Sequence, residues 1–477
     1  MKRHFLILAI SLLFLPFAQG KVKLPAMMGD HMVLQQNSSV KLWGWADGRK
    51  VTVTTSWNNR TYQASTDKDG AWLVKVDTPE GGYTPYSITI SDGTPATLSD
   101  ILIGEVWICS GQSNMEMRMM GNAAQPIDHS LETLLNAGNY RDRIRFITVP
   151  RTKAIERRTD FEGKKWEMSA PETTIDCSAA AYFFARQLTE SLHLPVGLVI
   201  SSWGGSRIEA WMDEQTLASI EGVDMEAAKS SKRDIHQRLG CLYNSMLCPV
   251  KNFTARGFLW YQGESNRGYH QFYAPMMTAM VQLWRNMWEA PDMPFYYVQI
   301  APYRYENSRN IDGALLREAQ MEALKTIPNS GIVPTTDIGD EFCIHPPQKN
   351  IVGLRLATLA LTKTYGIGRL PSNGPVMKKV DYSGSKAIVT FDNAPAGLFP
   401  TFSQLDGFEI AGADKKFYPA KAKIVGRTNT VEVWSEEVAQ PVAVRYAFRN
   451  YAGNITLRNT FGLSAFPFRT DTWDEVK

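Results

Sequence analysis

Ser113 lies in the stretch GEVWICSGQSNMEM (Gly104 to Met117), with glycine two residues before it and asparagine right after it. On a strand-to-helix turn its Oγ would project into solvent. Its own N–H and the neighbouring ones would point the same way, which suits attack on an ester and stabilisation of the resulting oxyanion. Taken alone, the same residues also describe a serine that caps the following helix. Three further stretches, SSWGGSRIEAW, WYQGESN and DIGDEFCIHPP, are polar or glycine-rich clusters that each follow an apolar run. If all four runs are strands of one sheet, the clusters gather at one rim, and acyl transfer becomes the chemistry to consider.

A serine nucleophile needs a base, and the seven histidines sort by context. His4 falls in an N-terminal leader and His31 in a β-patterned region. His129, His193 and His236 occupy loop or helix-end settings that solvation or a helix C-terminus accounts for. His270, close after QGESN, and His345 remain. His345 is favoured: it follows the strand-like GIVPTTDI, sits in a loop held by Pro346 and Pro347, and precedes a helical pattern. A carboxylate on the other ring nitrogen would fix the tautomer. Asp337, Asp340 and Glu341 all precede His345, with Asp340 best placed in the connecting loop. Oxyanion donors are offered by Gly204 and Gly205, whose bare N–H groups a carbonyl can approach and which equally make a plain turn, and by the side-chain amide of Gln262. Glu264 reads as a loop anchor or a substrate contact.

The elements that would position these residues follow from periodicity. Residues 21–99 show short alternating runs (SVKLWGWADG, VTVTTSW, YSITISDG) punctuated by Asp-Gly pairs, which predicts an antiparallel β domain. Residues 100–370 alternate β-rich runs with longer amphipathic stretches such as SAAAYFFARQLTESL and YAPMMTAMVQLWRNMW. That pattern predicts a mainly parallel sheet covered by helices on both faces, with the site at the carboxyl ends of its strands. Residues 371–477 return to β patterning (KAIVTFDNA, TVEVW, VAVRYAF), predicting a second β domain, a sandwich.

With 477 residues the chain has room for about two or three domains. A net charge of +3 and 21% charged residues carry no basic excess, so nucleic acid and acidic lipid are not expected partners. Lys2, Arg3 and His4 precede an apolar run from Phe5 to Phe17 that ends in Ala18-Gln19-Gly20, which reads as a secretory signal peptide cleaved near Gly20. No later segment is long and apolar enough to span a bilayer. The five cysteines are too scattered for a disulfide scaffold, although Cys241 and Cys248 leave one pairing open. No spacing implies zinc or another metal, and oligomeric state has no signal.

Together these blocks resemble the sialate O-acetylesterase family of the SGNH (GDSL-like) hydrolase superfamily. CSGQSNMEM looks like its nucleophile block, SSWGGSRIEAW its second, WYQGESN its third and DIGDEFCIHP its histidine block. DHMVLQQ and VKLWGWADG near the start and NTFGLSAFPFRTD near the end extend the resemblance over nearly all of the mature chain. It implies a flavodoxin-like parallel sheet sandwiched by helices and flanked by all-β regions. It further implies Ser113 as nucleophile, His345 as general base and acid, and an oxyanion hole of the Ser113 and Gly205 N–H groups with the Gln262 side chain, with no cofactor. Two departures stand out. The third block is QGESN where the superfamily has G-x-N-D. Phe342 and Cys343 occupy the places, three and two residues before the histidine, where many relatives carry the triad aspartate. Either Asp340 serves from five residues away, or a backbone carbonyl orients His345 and the site is a dyad.

The resemblance implies an O-acetylated sialic acid as substrate. Arg207 then has two readings, a fork for the sialate carboxylate or an ion pair with Glu209 or Asp213. Trp203, Trp211 and Tyr261 either stack on sugar or belong to the core. The competing readings are a broader esterase acting on acetylated xylan or other glycans and, from another class, a non-catalytic secreted glycan-binding protein. A lipase is disfavoured, since no long apolar lid segment adjoins the blocks.

Overall fold

The computed structural model of the chain describes residues 22–230 and 232–474; the expected signal peptide over residues 1–20, with His4, lies outside them. Six strands form the sheet that carries the site: β1 Pro95–Gly111, β2 Ile144–Thr148, β3 Val196–Ser202, β4 Gly257–Tyr261, β5 Phe295–Val298 and β6 Ser330–Val333. They pair in parallel in the order β6-β5-β4-β1-β3-β2, and a short antiparallel strand, Glu167–Met168, edges β2. The order is flavodoxin-like, with β2 as an added edge strand. Crossovers run in opposite directions from β1, so the crevice above its carboxyl end is the topological switch point where such sheets place their sites.

Helices α1 Ala179–Leu192 and α4 Lys349–Lys363 cover one face, and α2 His270–Trp288 and α3 Asp312–Thr326 the other. The period-2 geometry of a strand divides its residues between the two cores. Val106 and Ile108 of β1 join Trp260, Met276, Trp284 and Leu316 in one. Trp107 and Cys109 join Leu198, Tyr182, Phe184 and Leu356 in the other. Burial on both faces is why these strands read as near-continuous apolar runs. Among the described residues no helix is long and apolar enough to cross a membrane.

β1 is 17 residues long and serves two sheets. Its first half pairs with the antiparallel strand Gly82–Ser91 and the parallel strand Val33–Gln35 of the N-terminal β region, and its second half lies between β3 and β4 in the parallel sheet. The boundary drawn at 99/100 therefore falls inside a continuous strand. The cores also merge, since Val33, Val53 and Ile88 share a cluster with Trp260 and Trp284. A strand that exchanges partners halfway carries no local mark of doing so.

The C-terminal region forms two four-stranded antiparallel sheets around a core of its own that includes Val389, Phe391, Phe408, Val431 and Tyr446. It docks on the start of α3, where Gly313 N donates to Asn450 Oδ1 at 2.7 Å, and on its flank, where Arg469 pairs with Glu318 at 2.7 Å. All five cysteines are free thiols, Cys241 and Cys248 included.

At the end of β1, Gly111 has φ +140°, and a methyl group added there would lie 2.2 Å from Tyr261 O of β4. Gly111→Ala is expected to lower the unfolding free energy by roughly 3 kcal/mol, through overpacking against backbone and a disfavoured φ. A urea titration checks this, and an unchanged midpoint would show that β1 and β4 separate easily here.

Candidate active site

Ser113 opens a single helical turn, Ser113–Glu116, directly after β1. The turn is held from below by Gln112 N, which donates to Tyr261 O at 3.0 Å, and by Met115 N and Glu116 N, which donate to Gln112 O at 2.9 Å each. It is held from the side by Ser178, the N-cap of α1, which accepts from Ala181 N at 3.2 Å and donates to Met115 O at 2.6 Å. One hydroxyl thus caps a helix and fixes the serine turn to it.

His345 reaches this turn from 232 residues away, with Nε2 2.8 Å from Ser113 Oγ. Its Nδ1 lies 2.8 Å from Gln125 Oε1. Gln125 is the orienting residue that sequence reasoning missed. It projects from a tight turn in which Asn122 and Gln125 exchange backbone hydrogen bonds of 3.0 Å, and Ala124 beside it is held at φ +58°. Asp128 N donates to Pro347 O at 3.0 Å, tying this turn to the histidine loop. Asp340, expected in this role, is turned elsewhere: its Oδ1 accepts from Phe342 N and Cys343 N at 2.7 and 2.8 Å. A carboxylate spent on shaping its own loop is not available to the ring. Asp337 is paired with Arg355 at 2.7 Å. His270 begins α2 and has no contact of this kind with Ser113.

The second strand end resolves the two glycines. Gly204 N donates to Glu116 Oε2 at 2.6 Å, and a methyl there would lie 3.2 Å from Ser113 Cβ. Gly205, at φ +72°, keeps a free face, and no hydrogen bond leaves its N–H or that of Ser113 among the described residues. His236 stands beside it, stacked on Trp203 at 5.2 Å with planes 5° apart, while Gln237 Nε2 donates to Gly205 O at 3.0 Å.

Gln262, expected as a third oxyanion donor, is fully buried. Its Nε2 donates to Ser206 O at 3.1 Å and Asn266 Oδ1 at 2.8 Å, so both of its amide protons are engaged. Arg207 is an ion-pair residue: its Nε donates to Glu209 Oε1 at 3.0 Å and its guanidinium lies 4.3 Å from the Tyr269 ring centre. Glu264 fits the loop-anchor reading: it is buried and accepts from Asn114 Nδ2 at 2.6 Å. Trp211 and Tyr261 are core residues, whereas Trp203 is half-buried. The ligand-facing readings of these residues rested on nearness in sequence to a motif; the structure instead agrees with the alternatives of an Arg207–Glu209 ion pair, a Glu264 loop anchor and core positions for Trp211 and Tyr261.

Beside Ser113 opens a cleft of about 780 Å³ lined by Arg118, Arg151, Lys164, Glu116, Glu167 and Asp176 among others. Arg151 pairs with Glu116 at 3.1 Å and Arg118 with Asp176 at 2.8 Å. Burial pushes the Glu167 carboxyl above its usual range. Burial, helped by the Lys349 cation, pulls His345 down to about 4. Gln125 is neutral: it selects the tautomer whose bare Nε2 faces Ser113, but it supplies no charge to favour the imidazolium.

Residues 103–362 match the family described as carbohydrate esterase, sialic acid-specific acetylesterase. The chain is 28% identical to the sialate O-acetylesterase of Rattus norvegicus over 413 residues, 74% of this chain and 75% of the relative. It is 27% identical to that of Homo sapiens over 396 residues, 76% and 75% of the two chains. A solved carbohydrate acetylesterase from Xanthomonas citri superposes with a TM-score of 0.85 at 33% identity, covering 95% of this chain and all of that one.

A general base must be neutral to accept a proton, so activity should disappear as pH falls through the folded-state value of His345. The acid limb of kcat/KM for a small acetyl ester is expected near pH 4, and an inflection near 6.5 would contradict it. Gln125→Glu is expected to move that limb upward, because an anion at Nδ1 stabilises the imidazolium. Gln125→Ala should lower kcat by roughly 10- to 100-fold through lost orientation.

Proposed function

The chain belongs to the carbohydrate esterase, sialic acid-specific acetylesterase family and is a hydrolytic esterase; from that premise we propose that it removes O-acetyl groups from sialic acids by way of an acetyl-enzyme on Ser113. The observation that carries this reading is the relay in which Ser113 Oγ, His345 Nε2, His345 Nδ1 and Gln125 Oε1 are joined by two 2.8 Å contacts.

His345 Nε2 takes the Ser113 hydroxyl proton as Oγ attacks the acetyl carbonyl. The N–H groups of Ser113 and Gly205 receive the developing oxyanion, where the short helical turn also presents its positive end. The tetrahedral intermediate collapses by breaking the bond to the sugar oxygen, which leaves with the proton from Nε2. Water, deprotonated at the same nitrogen, attacks the acetyl-serine, and a second collapse releases acetate and restores Ser113. His345, held below the usual imidazole range, is a weak base in this scheme, so proton transfer depends on the preset 2.8 Å geometry rather than on basicity.

The cleft supports a polar, charged substrate. Lys164 stands on its wall as a partner for a carboxylate, beside an Arg151 already paired with Glu116, and its lining of both charge signs suits a polyhydroxylated sugar better than an acyl chain. A broader acetylated-glycan substrate is the second reading, favoured by the similarity to the Xanthomonas citri protein, a carbohydrate acetylesterase. We further propose export after cleavage near Gly20.

Acetate release from O-acetylated sialic acid and from acetyl-xylan, by wild type and Ser113→Ala, tests both points. The wild type is expected to prefer the sialic acid and the variant to lose at least about 10³-fold. Equal rates for wild type and variant remove Ser113 from the mechanism, and preference for xylan selects the broader substrate.

A further inference from the structure

Beneath the Ser113–His345 pair lie three buried polar side chains that the reaction itself does not use. Asn114, next to the serine, is fully buried; Lys349, the first residue of α4, is fully buried; Glu264 is 7% exposed. Lys349 Nζ donates to Asn114 Oδ1 at 2.8 Å and to Pro346 O at 2.6 Å. Asn114 Nδ2 donates to Glu264 Oε1 at 2.6 Å and to Ile344 O at 3.2 Å. Ile344 and Pro346 are the residues on either side of His345, so both carbonyls flanking the histidine are gripped, one by the amide next to the nucleophile and the other by the ammonium bound to that amide.

This arrangement is costly as architecture. A lysine at a helix N-terminus opposes the helix dipole, a buried ammonium and a buried carboxylate each lose hydration, and Glu264 Oε2 has no hydrogen-bond partner in its buried position. Apolar residues of similar volume would often hold such an interior as well or better. What apolar residues would not do is fix the two peptide planes around one imidazole.

We propose that Asn114, Lys349 and Glu264 form a positioning device that locks the His345 loop to the nucleophile turn and holds the imidazole in line with Ser113 Oγ. The inference rests on the reading of Ser113 and His345 as the reacting pair. A backbone loop tethered only by its own turns would let Nε2 wander, and a displacement of about 1 Å from the attack geometry costs on the order of 10²-fold in rate. The device also has an electrostatic side. The titratable groups facing Lys349 are Glu264, from the turn after β4, Cys343, from the histidine loop, and Tyr261 of β4, whose ring centre lies 5.9 Å from Nζ. The charged group that acts on His345 is Lys349 itself, which adds to burial in disfavouring the imidazolium. Burial draws Lys349 down to about 7, against the opposing pull of Glu264. A neutral amine still has two N–H groups for Asn114 and Pro346, so the grip survives its deprotonation.

The test measures kcat, KM and the pH profile of wild type, Lys349→Met and Lys349→Arg with p-nitrophenyl acetate and with an O-acetylated sugar, alongside thermal unfolding. Lys349→Met is expected to lose about 10²-fold in kcat on both esters with KM nearly unchanged, and to shift the acid limb upward because the cation no longer opposes protonation of His345. Lys349→Arg should recover part of kcat and leave the limb in place. A kcat within two-fold of wild type with an unmoved acid limb in folded Lys349→Met overturns the proposal. If Lys349→Met does not fold, the isosteric Asn114→Asp decides: it loses the donor to Ile344 O, and a kcat equal to wild type overturns the proposal while a fall of 10-fold or more supports it. Ser113→Ala measured in the same assays separates the two readings. If it stays active, the reacting pair is misassigned; if it is inactive while the Lys349 variants match wild type, only the positioning role falls.

Discussion

A single contact of 2.8 Å between Ser113 Oγ and His345 Nε2 joins positions 232 residues apart, and most of the molecule is needed to make it. A hydrogen bond tolerates only a few tenths of an ångström, so both loops must be held from several directions. The Ser113 turn hangs from β1, β4 and α1. The histidine loop is bounded by β6 and α4, stiffened by two prolines, and tied sideways by Asp128 to the turn that bears Gln125. β1 lies between β3 and β4, so the switch point is also where the sheet is deepest and least free to move.

A neutral amide behind the histidine changes the electrostatics of the site. A carboxylate there would stabilise the imidazolium and raise the basicity of the ring. Gln125 gives direction without charge, and the buried ammonium of Lys349 acts in the opposite sense, so His345 stays unprotonated well into acid solution. With His345 as the proposed base, an esterase of this design exchanges base strength for a wide range of pH over which the ring is in its working form. Acetyl esters, whose leaving oxygen takes from the same ring the proton that Ser113 gave it, are suited to that compromise.

The parts of this architecture legible in the sequence are those with a local signature. Buried parallel strands announce themselves as short apolar runs, and the polar clusters following GEVWIC, VGLVISSW, ARGFLWYQ and GIVPTTDI do meet at one rim, with Ser113 beside His345. The illegible parts are choices of side-chain partner. Asp340 had the right chemistry and a plausible distance along the chain, but two N–H groups of its own loop claim it. Gln125 sits in an aperiodic segment, 220 residues from the ring it orients, and a lone glutamine there carries no pattern. Gln262 is held by Asn266, four residues on in the same turn, and by Ser206, a partner that exists only once β3 and β4 lie side by side. The one available clue was negative: Phe342 and Cys343 in the places of an aspartate implied that the ring is held from elsewhere.

The 17-residue span of β1 has a consequence for how this enzyme can be taken apart. Accessory β modules in carbohydrate-active enzymes are often treated as interchangeable parts joined by linkers. Here the N-terminal β region is spliced into the sheet through one uninterrupted strand, and its Val33 and Ile88 belong to the same core as Trp284. Trimming the chain back to residues 100–370 would sever a strand and leave apolar surface and an unpaired edge upstream of Ser113. The protein therefore has no minimal catalytic fragment at that boundary; shuffling its N-terminal region with that of another protein is a redesign of the central strand.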